Sequence, residues 1–86
     1  MKINFEKLKV KSLSGVVTEI DSREGIAEII YDQTHGLKYK LLAEKIYKST
    51  GVLELDETEL NTLNSLLDTD FFVNKITDAI RDNLVK

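Results

Sequence analysis

A chain of 86 residues without a single cysteine must hold its fold together by packing apolar side chains, and at that length it supports one core. The missing thiols exclude a disulfide scaffold, thiolate zinc sites, iron–sulfur clusters and cysteine nucleophiles. One histidine, His35, is too few for a multi-histidine metal site. With 42% hydrophobic residues, four Gly and no Pro, the composition fits one compact domain over residues 1–86 rather than a disordered chain. No apolar run approaches the roughly 20 residues of a membrane span, so no membrane association is expected. The opening Met1-Lys2-Ile3-Asn4-Phe5-Glu6 lacks the apolar stretch of a secretory signal, which makes a cytoplasmic location the expectation.

Hydrophobic periodicity divides the chain. Leu8 and Val10 alternate with Lys7, Lys9 and Lys11, the pattern of a strand with one face in and one face out. Ser12-Leu13-Ser14-Gly15 supplies turn chemistry, and the β-branched run Val16-Val17-Thr18-Glu19-Ile20 completes a hairpin. Ile3 and Phe5 also alternate, but out of phase with Leu8 and Val10. That slip requires either a bulge near Glu6-Lys7 or a separate piece at the first residues.

Four helices follow. Asp21 or Ser22 caps the first, over residues 22–34, with Glu24 in its first turn. Ile26, Ile29, Ile30 and Gln33 fall on one stripe, which predicts three isoleucines facing the core. His35-Gly36 ends this helix, with Gly36 in the left-handed position that follows a helix. The second helix, 37–49, buries Tyr39, Leu42, Ala43, Ile46 and Tyr47 and exposes Lys40, Glu44, Lys45 and Lys48. Residues 52–55 read as a short strand able to join the hairpin. Asp56 with Glu59 three residues on is a capping box for a third helix with the stripe Leu60, Leu63 and Leu67. Asp68-Thr69-Asp70 is expected to cap a fourth helix, which buries Phe72, Ile76, Ala79, Ile80 and Leu84. No internal repeat or linker is recognised. The expected fold is α+β in the order ββααβαα, a small antiparallel sheet packed by four helices.

Signals for chemistry are few. There is no glycine-rich phosphate loop, dinucleotide fingerprint or serine elbow, so no catalytic residue and no cofactor is assigned and a non-enzymatic role is expected. His35 sits where the helix dipole favours a cation, which accounts for it without catalysis. Asp68-Thr69-Asp70 lacks the glycine and terminal glutamate of a calcium loop, because Phe71 and Phe72 come next. The two helices across residues 22–49 resemble a helix-turn-helix in outline. In that alternative reading the second helix meets DNA with Lys38, Lys40, Lys45 and Lys48 on phosphates. It carries no Arg, Asn or Gln to read bases, so an αα-hairpin with a solvated lysine face is preferred.

Charge patterning is the most specific feature. Residues 1–50 carry nine Lys/Arg and seven Asp/Glu, while residues 51–86 carry three and eight. Glu24, Glu28 and Asp32 recur at i, i+4 and i+8 and line one side of the first helix, although like charges at that spacing repel. The lysines gather on the next helix around Leu41, an apolar residue out of pattern there, as Phe71 is on the fourth helix. If hairpin formation does not neutralise the two stripes, they present an acidic patch (Glu24, Glu28, Asp32) and a basic one (Lys40, Leu41, Lys45, Lys48). Such a surface suits a protein partner or self-association, with charge steering the encounter.

The opening MKINFEKLKVK and the following VTEIDSREGIAEIIY resemble small uncharacterised proteins carried by bacterial prophages and other mobile elements. The resemblance covers the first half of the chain. It implies an accessory or assembly role and assigns no residue a function.

Overall fold

The phase slip near Glu6 marks a change of strand. The structure, a computed structural model, describes residues 1–85. Strand β1 (Lys2–Ile3) ends before Asn4, whose Oδ1 accepts the Lys7 N–H at 3.0 Å and turns the backbone. Strand β2 (Leu8–Lys11) then begins a new alternation, with Leu8 and Val10 buried and Lys9 and Lys11 exposed. Strand β3 (Val17–Ile20) returns antiparallel and pairs Leu8 with Ile20 and Val10 with Thr18. In the loop, the Gly15 N–H donates to the Ser12 carbonyl at 2.9 Å, and Gly15 has φ +91°, the left-handed residue a three-residue hairpin loop needs.

Strand β4 (Leu53–Glu54) pairs with β1, so the sheet structure consists of two separate two-stranded ribbons. The β2 edge of the hairpin is bonded to the end of α4, not to β4. There the Asn83 side chain accepts from the Lys9 N–H at 3.3 Å and donates to the Lys9 carbonyl at 2.9 Å. A buried Ile3 facing a buried Leu53 makes the β1–β4 ribbon part of the core instead.

The helices are α1 (Arg23–Gln33), α2 (Leu37–Lys48), α3 (Glu57–Asp68) and α4 (Asn74–Asn83). The α+β class and the order ββααβαα hold, with β1 added at the front. Helix α2 packs against α1 and α3, while α4 packs against β2. Phe5, Leu8, Ile30, Ile46, Leu63 and Ile80 form the centre of one core, each with no accessible surface. The capping box is present: the Glu59 N–H donates to Asp56 Oδ1 at 2.7 Å, and the Asp56 N–H donates to Glu59 Oε1 at 2.9 Å. No helix among the described residues is long and apolar enough to cross a membrane.

Several expected positions shift. Ile29 is 39% exposed and Ala27 takes its place in the core, because α1 packs mainly against α2 and only Ile26, Ala27 and Ile30 are covered. Leu60, Ile76 and Leu84 sit at the rim of the core. Phe72 is buried but precedes α4, and Phe71 packs edge-on against it at 5.0 Å instead of standing free. Asp68-Thr69-Asp70 does not cap α4; it ends α3. Asp70 has φ +55°, and the Phe71 N–H reaches back to the Leu66 carbonyl at 3.2 Å, the bonding of a left-handed helix stop. Gly36 is likewise not the stop of α1. It is the N-cap of α2, with φ +106° and ψ 152°.

Candidate interaction surface

A polar clamp holds the ends of α1 and α2 in place. Ser22 is the N-cap of α1, yet its hydroxyl donates to the Phe5 carbonyl at 2.8 Å, leaving Asp21 to accept the Arg23 N–H at 3.2 Å. The Arg23 guanidinium donates to the Ser49 carbonyl at the C-terminus of α2 at 2.7 Å, and it pairs with Asp21 at 2.8 Å and Glu6 at 3.2 Å. Glu6 in turn accepts the Gly51 N–H at 3.1 Å. Hydrogen bonds from the Arg23 side chain, then from its backbone N–H, hold the Asp21 carboxyl below its ordinary range. A lowered carboxyl pKa contributes stability above the unfolded value of about 3.9, and that contribution is lost as pH falls through the lower folded value. Between about pH 6 and pH 3, Asp21→Asn is therefore expected to flatten the fall in urea midpoint seen for the parent chain. Parallel pH curves for the two proteins would contradict the clamp.

The charge stripes stand on the solvent-exposed sides of the same two helices, with Glu24 next to the clamp residues Asp21 and Arg23. Glu24, Glu28 and Asp32 are all exposed, as are Lys40, Leu41 and Lys48. Among the described residues no salt bridge joins the acidic stripe to Lys40 or Lys48. Lys45 does not belong to this surface. Its Nζ lies 2.6 Å from Glu59 Oε1, on the side of α2 that meets α3. Glu44 stands between Lys40 and Lys48 at i+4 from each, so the basic stripe is interrupted. His35 is exposed in the turn beside Leu37 and Lys40.

Between the stripes runs a groove of about 210 Å³ lined by Ala27, Glu28, Tyr31, Ala43, Glu44, Tyr47 and Lys48. Ala27 and Ala43 are buried and form its floor, because their short side chains leave space where the helices meet. Tyr31 and Tyr47 stand as walls, 60% and 56% exposed. The spacing of α2 places Tyr47 inside with Leu42, Ala43 and Ile46, and the structure corrects this. At about 100° per residue Tyr47 falls next to Lys40 at the edge of that face, and the groove leaves it uncovered. Tyr39 does turn inward, its hydroxyl 3.4 Å from Ser65 Oγ.

Six of the seven lining residues form matched pairs. Ala27-Glu28-Ile29-Ile30-Tyr31 on α1 and Ala43-Glu44-Lys45-Ile46-Tyr47 on α2 share Ala, Glu, Ile and Tyr at the same spacing. Each copy buries its Ala and its fourth-position Ile and exposes its Glu and Tyr. This short repeat, separated by the turn, is the signal in the sequence that points to the groove.

Comparison with protein-family models, with curated proteins and with solved structures finds no match to this chain. Among the described residues, no three His, Asp or Glu side chains converge to hold a metal ion.

Proposed function

We propose that this chain is a non-enzymatic protein-interaction or assembly module that takes a partner segment on the exposed face of the α1–α2 hairpin. The observation that carries the reading is the doubled groove, in which two buried alanines lie under two exposed tyrosines with a glutamate on each side. Its volume of about 210 Å³ suits one large side chain, below the ~300–1,000 Å³ of sites for small molecules and cofactors. The rim has Glu28 and Glu44 against Lys48, and Glu24 and Asp32 extend it along α1. The fitting ligand is a protein segment with one apolar anchor flanked by Lys or Arg, and the exposed Tyr faces give it amphipathic contact area at small entropic cost. Leu37 and Leu41, 67% and 55% exposed, widen the apolar part of the surface along α2. An accessory role in a prophage or other mobile element is the proposed setting, and it rests on the resemblance of the first half of the chain.

Glu44 weighs against the DNA-binding alternative, since a carboxylate between Lys40 and Lys48 repels the phosphates those lysines would hold. One titration separates the two readings. Isotope-labelled protein is mixed with a helical peptide carrying a leucine flanked by lysines, with the same peptide carrying glutamates, and with a DNA duplex. Amide shifts at Ala27, Tyr31, Ala43 and Tyr47 are expected with the basic peptide only. Tyr31→Ala combined with Tyr47→Ala is expected to remove them without changing the melting curve. No shift with the basic peptide at millimolar concentration overturns the reading. Shifts with DNA at Lys40 and Lys48 that fade steeply with salt would instead establish the alternative.

A further inference from the structure

The β2–β3 hairpin is bonded at Lys9 along its β2 edge, and among the described residues no hydrogen bond reaches its β3 edge. The Lys9 N–H and C=O are both taken by Asn83, so they point away from β3, and the Lys9–Glu19 pair is the non-hydrogen-bonded kind. Alternation then turns the N–H and C=O groups of Glu19 and Val17 outward from β3, away from the hairpin. The Ser12 N–H bond to the Val16 carbonyl at 2.9 Å agrees with that phase. All four residues of β3 are exposed. The edge has none of the usual protections: no Pro, no Lys and no bulge, with Glu19 its one charge. Val16 and Val17 are 62% and 57% exposed beside it.

We infer that β3 pairs antiparallel with β3 of a second copy of this chain, with Thr18 on the two-fold axis, to give a continuous four-stranded sheet. Hydrogen-bond phase selects this register. Val17 faces Glu19 of the second copy twice, and each pair exchanges two N–H···O=C bonds. Thr18 faces Thr18 in the closer, non-hydrogen-bonded pair, a favourable cross-strand combination. On the face shared with buried Leu8 and Val10, Ile20 meets Val16 of the second copy, so apolar side chains left exposed on each copy cover one another. On the other face Glu19 lies between Lys9 of its own hairpin and Val17 of the second copy, and no like charges stand directly opposite. Centring the pair on Glu19 would bring two carboxylates together. Centring it on Val17 would leave Ile20 without an apolar partner. A second copy thus fits the edge in charge, hydrogen-bond phase and side-chain pattern. The seam is small beside the ~1,600 Å² of a standard interface, so the dimer is expected to be weak and concentration-dependent.

Sedimentation equilibrium of the intact protein over a wide concentration range tests this, using Thr18→Lys and Thr18→Glu. Thr18 is exposed, so neither change disturbs the core, and matching melting curves would confirm folding. The parent chain is expected to dimerise reversibly. Each variant alone is expected to dimerise several-fold more weakly, because its like charges meet on the axis. Mixing the two variants is expected to restore dimerisation through the opposite-charge pair. A parent chain monomeric throughout, or variants that dimerise as the parent does, overturns the proposal. The second outcome would move any self-association to another surface, including the α1–α2 face.

Discussion

Leu63→Ala and Ile80→Ala are each expected to destabilise the protein by about 2–5 kcal/mol, against a few tenths for Leu41→Ala. Leu63 and Ile80 have no accessible surface, and each stands on the buried face of its helix against the common core. Truncation removes several buried methyl and methylene groups and leaves a cavity that packed neighbours cannot fill. For a domain of this size, a loss of that order lowers the melting temperature by about 10 °C or more. With no cysteine and so no disulfide to retain structure, the larger losses approach the whole stability of the fold. Ile80→Val, expected to cost about 0.5–1.5 kcal/mol, provides a graded arm if the alanine variants fail to fold. Leu41 is 55% exposed and has little burial to lose. Equal urea midpoints for Leu41→Ala and Leu63→Ala would show that α2 and α3 present the wrong faces. Leu60 and Ile76, on the same sequence stripes, should fall between these extremes because they lie at the rim.

The second large effect is a change of backbone alone. Gly36→Ala is expected to cost about 1–3 kcal/mol. With φ +106° and ψ 152°, Gly36 occupies a region that side chains with a Cβ almost never enter. A Cβ there would meet nothing within 4 Å, so crowding is not the cause; the cost lies in the torsions. The same substitution at Gly25, inside α1 and also in open space, is expected to stabilise by about 0.5–1 kcal/mol because alanine loses less backbone freedom on folding. Opposite shifts of urea midpoint at an unchanged denaturant slope would check the pair. A small or positive shift for Gly36→Ala would mean that the α1–α2 turn has another conformation. The turn also sets how the two tyrosine-bearing helices meet, so the variant is expected to weaken peptide binding at the groove.

How far the sequence alone reached depended on which interactions are local. The hairpin, the Asp56–Glu59 capping box and the order of elements were legible, because alternation, capping and turn chemistry act over three or four residues. The exposure of the acidic stripe was legible for the same reason: charges at i, i+4 and i+8 share a helix side whatever else the chain does. Side-chain spacing also showed which face of each helix turns inward, but not how wide the covered stripe is. Ile29 and Tyr47 lie on the margins of their faces, and only the placement of α1 beside α2 left them exposed.

The remaining features came from contacts between residues far apart in the chain. Asn83 bonds both backbone groups of Lys9 on the edge of β2 from 74 residues away, and β4 pairs with β1 instead of with the hairpin. Glu59 draws Lys45 out of the basic stripe across 14 residues. Arg23 joins Glu6, Asp21 and the end of α2, a clamp that no local pattern announces. Even the repeated Ala-Glu-x-Ile-Tyr became a groove only when the turn at Gly36 set its two copies side by side. Local periodicity determined what each segment is and which side of it is apolar. Tertiary packing decided which apolar residues stay uncovered, because that depends on the shape and distance of the neighbouring element, and neither is written in the spacing of one segment.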